Sequence, residues 1–277
     1  MKLAYLVRAP DVPDGGSRRG MAGELASCFQ ALANTGYSGV ELAVSDPQEA
    51  LRSIDDVKAL ASGCGLTLCA INTDEMALRH QASLGTDDEE ELIRAESMMC
   101  RAIELAAKYR CCVTLGRIRG KVDPALEPKM VLARAVDRAL QPLAQAAREE
   151  GCQIVLEPMG LPATNWLTDT TSALSVVIRV NRPTVRILLD SAIVHQVDPP
   201  VGEVLDRAGP LVRHVRLREI DGAVPGSGEV DFAEIVHALQ QSGYDGWMTV
   251  DCVAEDHGEA ARQAHEHLAG MIHADAT

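Results

Sequence analysis

Aromatic residues are scarce: 2 Trp, 4 Tyr and 2 Phe, or 3% of 277 residues. That leaves too few rings for a carbohydrate-stacking groove or a single-strand binding platform. Positive charge is also short, with 26 Lys+Arg against 40 Asp+Glu, a net charge of −14. Such a surface repels phosphate backbones, so no nucleic-acid partner is expected. No apolar run approaches the ~18 residues of a membrane span, so no membrane partner is expected either. The eight cysteines (28, 64, 69, 100, 111, 112, 152 and 252) include no CxxC pair. They predict reduced, buried thiols rather than disulfides. The opening MKLAYLVRAPD has no long apolar stretch and no small-residue cleavage site, which predicts a cytoplasmic location. GxGxxG is absent too: GGSRRG at 15–20 does not fit it, which argues against a doubly wound nucleotide-binding sheet.

What is present is alternation. Short apolar runs stand at 3–7, 39–44, 66–71, 111–116, 152–157, 185–190, 212–217 and 247–252. Several are apolar on both faces, as in parallel strands covered by helices. Between them, Leu92, Ala95, Met99, Ile103 and Ala106 mark one helical stripe, and Leu132, Val136, Leu140, Leu143 and Ala147 another. Pro142 should kink the second or mark a break in it. Gly36, Gly65, Gly151 and Gly243 stand just before the next strand, where a left-handed helix cap is expected. Eight strand–helix units predict an α/β fold, a single-domain (β/α)8 TIM barrel over residues 1–277.

In a barrel the chemistry sits at the C-terminal strand ends. Strand alternation turns Glu41, Glu157, Asp190 and Asp251 inward, together with His214, Arg216 and Arg218. A lone acid at a strand end can simply cap the next helix, and for Glu41 that reading stands equal to a site role. Four acids converging on one mouth need a cation, hydrogen bonds or a proton to offset the cost of burial. Arg117 and Arg119, in LGRIRG after the fourth strand, suit a carboxylate or phosphate. Arg18, Arg19 and His80 lie in loops on the same side, while Lys121 reads as solvated surface. His257, His265, His267 and His273 share the last helix, but residues two apart do not share a face, and a solvated helix is expected there.

NTGYSGVEL (34–42), IVLEPMG (154–160), LLDSAIVH (188–195), HVRLREIDG (214–222) and GSGEVDF followed by GYDGWMTVD (226–251) resemble the sugar-phosphate isomerase/epimerase superfamily. These are the xylose isomerase-like barrels, with an apurinic endonuclease branch, and the resemblance covers nearly the whole chain. It implies one divalent metal held by a Glu after strand five, an Asp after strand six, a His on strand seven and a Glu after strand eight. By motif these positions carry Glu157, Asp190, Arg216 and the shorter Asp251. Ile193 stands where many members have His, and His195 matches a second histidine seen in some. Arginine is always protonated and cannot ligate a metal. No cofactor is therefore expected. Arg216 would replace part of the metal charge among Glu157, Asp190 and Asp251, and one of those acids should keep its proton. The alternative is an improvised Mn, Zn, Co or Mg site on Glu157, Asp190 and Asp251.

The expected activity is isomerisation or epimerisation of a small sugar-like or keto-acid substrate, neutral or anionic, a sugar phosphate included, through an enediolate. Glu157 and Asp251 would be the acid–base pair and Arg216 the oxyanion stabiliser. Arg117, Arg119, Asp190, His195, Glu41 and His80 would contact the substrate. The same fold also serves lyases, dehydratases and non-catalytic ligand binders, and a homo-oligomer stays open. The nuclease branch needs a histidine-rich multi-metal site and a basic surface, both missing here.

Overall fold

A computed structural model describes residues 1–13 and 18–273, without the side chains of Pro128, Arg134, Ala135 and His273. Residues 15–17 of GGSRRG therefore lie outside the described residues. Eight parallel strands close in sequence order: β1 (Lys2–Arg8), β2 (Gly39–Ala43), β3 (Thr67–Asn72), β4 (Cys112–Leu115), β5 (Gln153–Leu156), β6 (Val185–Asp190), β7 (Val212–Leu217) and β8 (Trp247–Val250), with β8 pairing back to β1. All eight apolar runs become strands.

Alternation divides the side chains as expected. Ile154, Leu156, Ile187, Leu189, Val215, Leu217, Met248 and Val250 pack outward against the helices. Inside, a floor of apolar residues (Ala4, Cys69, Ala70, Cys112, Val155 and Leu188) fills the lower barrel. Above it the lumen turns polar, with Glu41, His214, Arg216 and Thr249 all buried. A register shift between Val40 and Glu41 turns both Cys69 and Ala70 toward the lumen, and a second between Ile187 and Leu188 brings Asp190 level with Arg216.

The helices follow local chemistry. Helix Glu89–Tyr109 starts at Asp88, whose side chain accepts from the Glu91 amide, and three glutamates in its first turn favour the positive helix end. The second stripe is distorted near Pro142 but not interrupted, since residues 128–150 stay helical throughout. Helix Pro128–Arg134 widens into a π-turn at Ala135–Leu140 before helix Gln141–Glu150. Proline offers no amide to the ladder, and the wide turn lies just upstream of it. Gly36, Gly65, Gly151 and Gly243 all have positive φ. Arg110 and Asn181 take the same left-handed role without glycine.

All eight cysteines are free; five are buried, Cys64 and Cys111 are half-buried and Cys100 is exposed. The last helix, His257–His273, is less solvated than expected. His257 Nδ1 lies 3.0 Å from the Tyr5 hydroxyl, and the His265 and His267 rings stand edge-on to Tyr37 and Phe232. Each of these three histidines serves a different neighbour, so they form no cluster, and the His273 side chain lies outside the described residues. Among the described residues no helix is long and apolar enough to cross a membrane.

Candidate active site

Arg216 lies at the centre of the mouth, fully buried. Its Nη2 donates to Glu41 Oε1 at 2.7 Å and to Glu157 Oε2 at 3.3 Å, and its Nη1 donates to Asp251 Oδ2 at 3.4 Å. Its Nε lies 2.8 Å from Glu157 Oε1, but the N–H is not aimed at that oxygen, so the contact is electrostatic rather than a hydrogen bond. A second guanidinium enters from the β1 loop. Arg19 Nη1 donates to Asp251 Oδ2 at 2.6 Å, and that loop is fixed to the segment after β8 by an antiparallel bridge between Arg19 and Val253.

The expected partner set changes in one place. Asp190 is not a partner of Arg216. Its Oδ1 accepts from the amides of Ala192 and Ile193, capping helix Ser191–Gln196, and its Oδ2 takes Arg218 Nε at 2.6 Å. Glu41 makes no cap, since Asp46 caps the helix that follows β2. Instead Glu41 joins Arg216, with Asn72 Nδ2 donating at 2.9 Å and His214 Nε2 at 2.9 Å from its other oxygen. The capping role thus falls to Asp190 and the site role to Glu41.

Three carboxyls (Glu41, Glu157 and Asp251) therefore share two guanidiniums (Arg19 and Arg216). Burial, reinforced by the charges of Asp74, Asp190 and Glu41, pushes the Glu157 carboxyl up to about 8 against the pull of Arg216. Burial would also raise Glu41, but Arg216, His214 and Asn72 outweigh it and hold that carboxyl well below the usual range. Burial would lower Arg216; its acidic neighbours, led by Glu157 and Glu41, hold it well above its ordinary value. One proton on Glu157 balances the two arginines, leaving the His214 ring aside. Asp251 Oδ1 is buried without a hydrogen-bond partner, an open acceptor beside the guanidiniums.

Arg119 departs from the expected substrate contact. It is fully buried, donating from Nη2 to the Glu157 carbonyl at 2.7 Å and from Nη1 to the Trp166 carbonyl at 2.6 Å. Burial pulls its guanidinium down to about 10. Arg119 therefore holds the backbone of Glu157 rather than a ligand. Arg117 is half-buried, and its Nε has no hydrogen-bond partner. His195 is exposed on helix Ser191–Gln196, and His80 bonds the Ser45 carbonyl at 3.0 Å; neither forms a hydrogen bond or ion pair with the acid cluster. Arg18 is exposed, 3.9 Å from Glu255.

Sequence reasoning missed Asn72, Asp74 and Glu219. Asn72 ends β3 in register with Ala43, one step beyond Glu41, and that level was its signal. Asp74 accepts the Arg117 amide at 2.9 Å and bears on Glu157 across Gly116. A Cβ at Gly116 would meet Asp74 Oδ1 at 2.8 Å and Glu157 Oε2 at 3.0 Å, so only glycine fits between them. Buried Glu219 accepts from the amides of Gly226, Gly228 and Val230, which folds the glycine-rich loop after β7 around one carboxylate.

The donor set does not fit a divalent ion. Both Asp190 oxygens are engaged, Glu157 and Asp251 face a guanidinium, and a fixed positive charge stands where the third ligand is implied. Among the described residues, no three His, Cys, Asp or Glu side chains are grouped to hold a metal.

A family model, the xylose isomerase-like TIM barrel, matches residues 29–271. The chain belongs to this family. This xylose isomerase-like barrel is 25% identical over 262 residues to a fructoselysine 3-epimerase of Shigella flexneri, covering 89% of this chain and 93% of that one. It is 27% identical over 268 residues to an L-ribulose 3-epimerase of Methylomonas sp. (strain DH-1), covering 91% and 83%. The crystal structure of an Escherichia coli 3-keto-D-glucoside 4-epimerase superposes with a TM-score of 0.77 at 20% identity, covering 97% of this chain and 99% of that one, a likeness of fold.

Proposed function

We propose that this barrel is a sugar epimerase or isomerase that works on a small ketose-like compound through an enediolate, with Arg216 in the place of a divalent ion. The observation that carries the reading is the placement of Glu157 and the open Oδ1 of Asp251 about Arg216, with burial pushing the Glu157 carboxyl up. Asp251 Oδ1 takes the carbon-bound proton beside the substrate carbonyl. Electron density moves onto the carbonyl oxygen, and Arg216 stabilises the resulting oxyanion. Glu157 returns a proton to the opposite face, which inverts the carbon. Solvent then restores the resting protonation of the two acids. The relatives named as 3-epimerases support this reaction class.

The arginines first read as anion contacts are largely committed. Arg216 serves three carboxyls and Arg119 serves two carbonyls, which leaves Arg117. This balance supports an uncharged ketose over a sugar phosphate or sugar acid. The test is incubation of a ketose panel with the protein in deuterated water. Deuterium at the carbon next to the carbonyl, with product of inverted or shifted configuration, is expected for at least one ketose. Binding without exchange across the panel would sink the catalytic reading.

A further inference from the structure

The opposite end of the barrel carries its own charge pattern. A cleft of about 450 Å³ opens beneath the N-terminal ends of β4 and β5, lined by Arg110, Arg148, Arg213, Gln153, Cys111 and Thr184 among others. Three of its eleven lining residues are arginines and none is acidic. In a chain of net charge −14 that is an unusual concentration of one sign. The arginines come from three separate elements: the cap of helix Glu89–Tyr109, the last turn of helix Gln141–Glu150 and the start of β7. None of the three forms an ion pair among the described residues.

Helix C-terminal carbonyls attract cations, and that accounts for Arg110 and Arg148 in part. It does not account for Arg213, which stands on a strand. Arg213 Nε donates to Gln153 Oε1 at 2.8 Å, which fixes the guanidinium while its two terminal nitrogens make no hydrogen bond among the described residues. A pinned guanidinium loses less freedom when it grips an oxyanion with two parallel bonds. Glu150 bears on the neighbouring Cys152 thiol but does not line the cleft. The floor of such barrels ordinarily serves stability, so three unpaired arginines there need another reason.

We infer that this floor cleft binds a small multivalent oxyanion, of the phosphate or polycarboxylate kind, at a site separate from the catalytic mouth. Arg213 provides the fixed fork, and Arg110 and Arg148 supply the surrounding charge. Because all three are exposed, binding should weaken as salt rises.

The experiment is isothermal titration of the full chain with inorganic phosphate at low ionic strength, repeated with citrate. Saturable binding is expected in the wild type for at least one anion, which also identifies the class. Arg213→Gln should weaken it about tenfold or more, since the charged two-bond fork is lost. A triple Arg110→Gln, Arg148→Gln, Arg213→Gln variant should abolish it while the melting transition persists. If the triple variant does not fold, the three single variants carry the same comparison. Wild-type protein without saturable binding of either anion would overturn the inference. So would variants that bind as tightly as wild type, because the anion would then sit elsewhere.

Discussion

Arg216 donates to Glu41 at 2.7 Å from the position where the family resemblance implies a metal-binding histidine. That bond organises the mouth. It draws Glu41 into the acid cluster and holds its carboxyl low, leaving Glu157 as the acid that carries the proton. A metal would distribute its charge over four ligands; a guanidinium is planar and satisfies only acids in its reach. Asp190 lies outside that reach, which is consistent with its turning to Arg218 and the helix amides instead.

Loss of Arg216 should therefore be costly. Arg216→Leu would leave Glu41, Glu157 and Asp251 buried without their shared cation. Breaking a buried pair typically costs about 3–5 kcal/mol, so a urea midpoint should fall sharply. Wild-type protein dialysed without chelator should carry less than one tightly bound divalent ion per chain by elemental analysis, and Arg216→His should carry more. Stoichiometric metal in the wild type would end the substitution argument.

Glu157→Gln keeps the shape of the side chain and removes its proton chemistry. Net epimerisation should drop by about 10²–10⁴-fold, the range for a positioned acid or base, while Asp251 still exchanges the proton on its own face. The melting transition should survive, because the amide oxygen still accepts from Arg216. A variant that unfolds at ordinary temperature would assign Glu157 to packing instead.

The raised Glu157 value sets two pH trends. With the native carboxyl at about 8 and the unfolded one near ~4.3, the native state holds the proton more tightly in between. Its stabilising contribution is full below about 4.3 and is lost as pH climbs through about 8. Urea unfolding at pH 5 and 8.5 should show a wild-type decline that Glu157→Gln flattens. In the direction where Glu157 gives the proton, kcat/KM should also fall above about pH 8. A profile level to pH 10 would assign the proton to another group.

Much of this was legible in the residues themselves. Apolar runs of strand length and inward parity were enough to place Glu41, Glu157, Asp190, Arg216 and Asp251 at one mouth, because the side-chain period of a strand is two. Which acid meets which arginine was not legible. That depends on register shifts at Glu41 and Leu188, and a one-residue slip does not show in an apolar pattern. Arg119 was misread for a related reason. LGRIRG looks like a loop reaching for a ligand, but the short helical turn Arg117–Arg119 folds the second arginine inward beneath Trp166.

Arg119 gives the last prediction, because it acts on Glu157 only through the backbone. Its two terminal nitrogens tie the Glu157 carbonyl to the Trp166 carbonyl, and its guanidinium lies 5.3 Å from the Trp166 ring centroid. Arg119→Lys keeps the charge, but a single ammonium on a flexible stem cannot reproduce the planar fork. The Trp166 carbonyl still accepts from Thr164 Oγ1 at 3.1 Å, so the cost of about 1–3 kcal/mol falls on the Glu157 carbonyl where the ammonium leaves it unpaired. Trp166 emission should change, because the cation over its ring moves. Glu157 would lose its fixed position, so kcat should fall more than KM rises, and the limb near pH 8 should shift. A purely structural arginine would lower the melting temperature and leave the pH profile of the remaining activity where it was. That outcome would remove Arg119 from the positioning of Glu157.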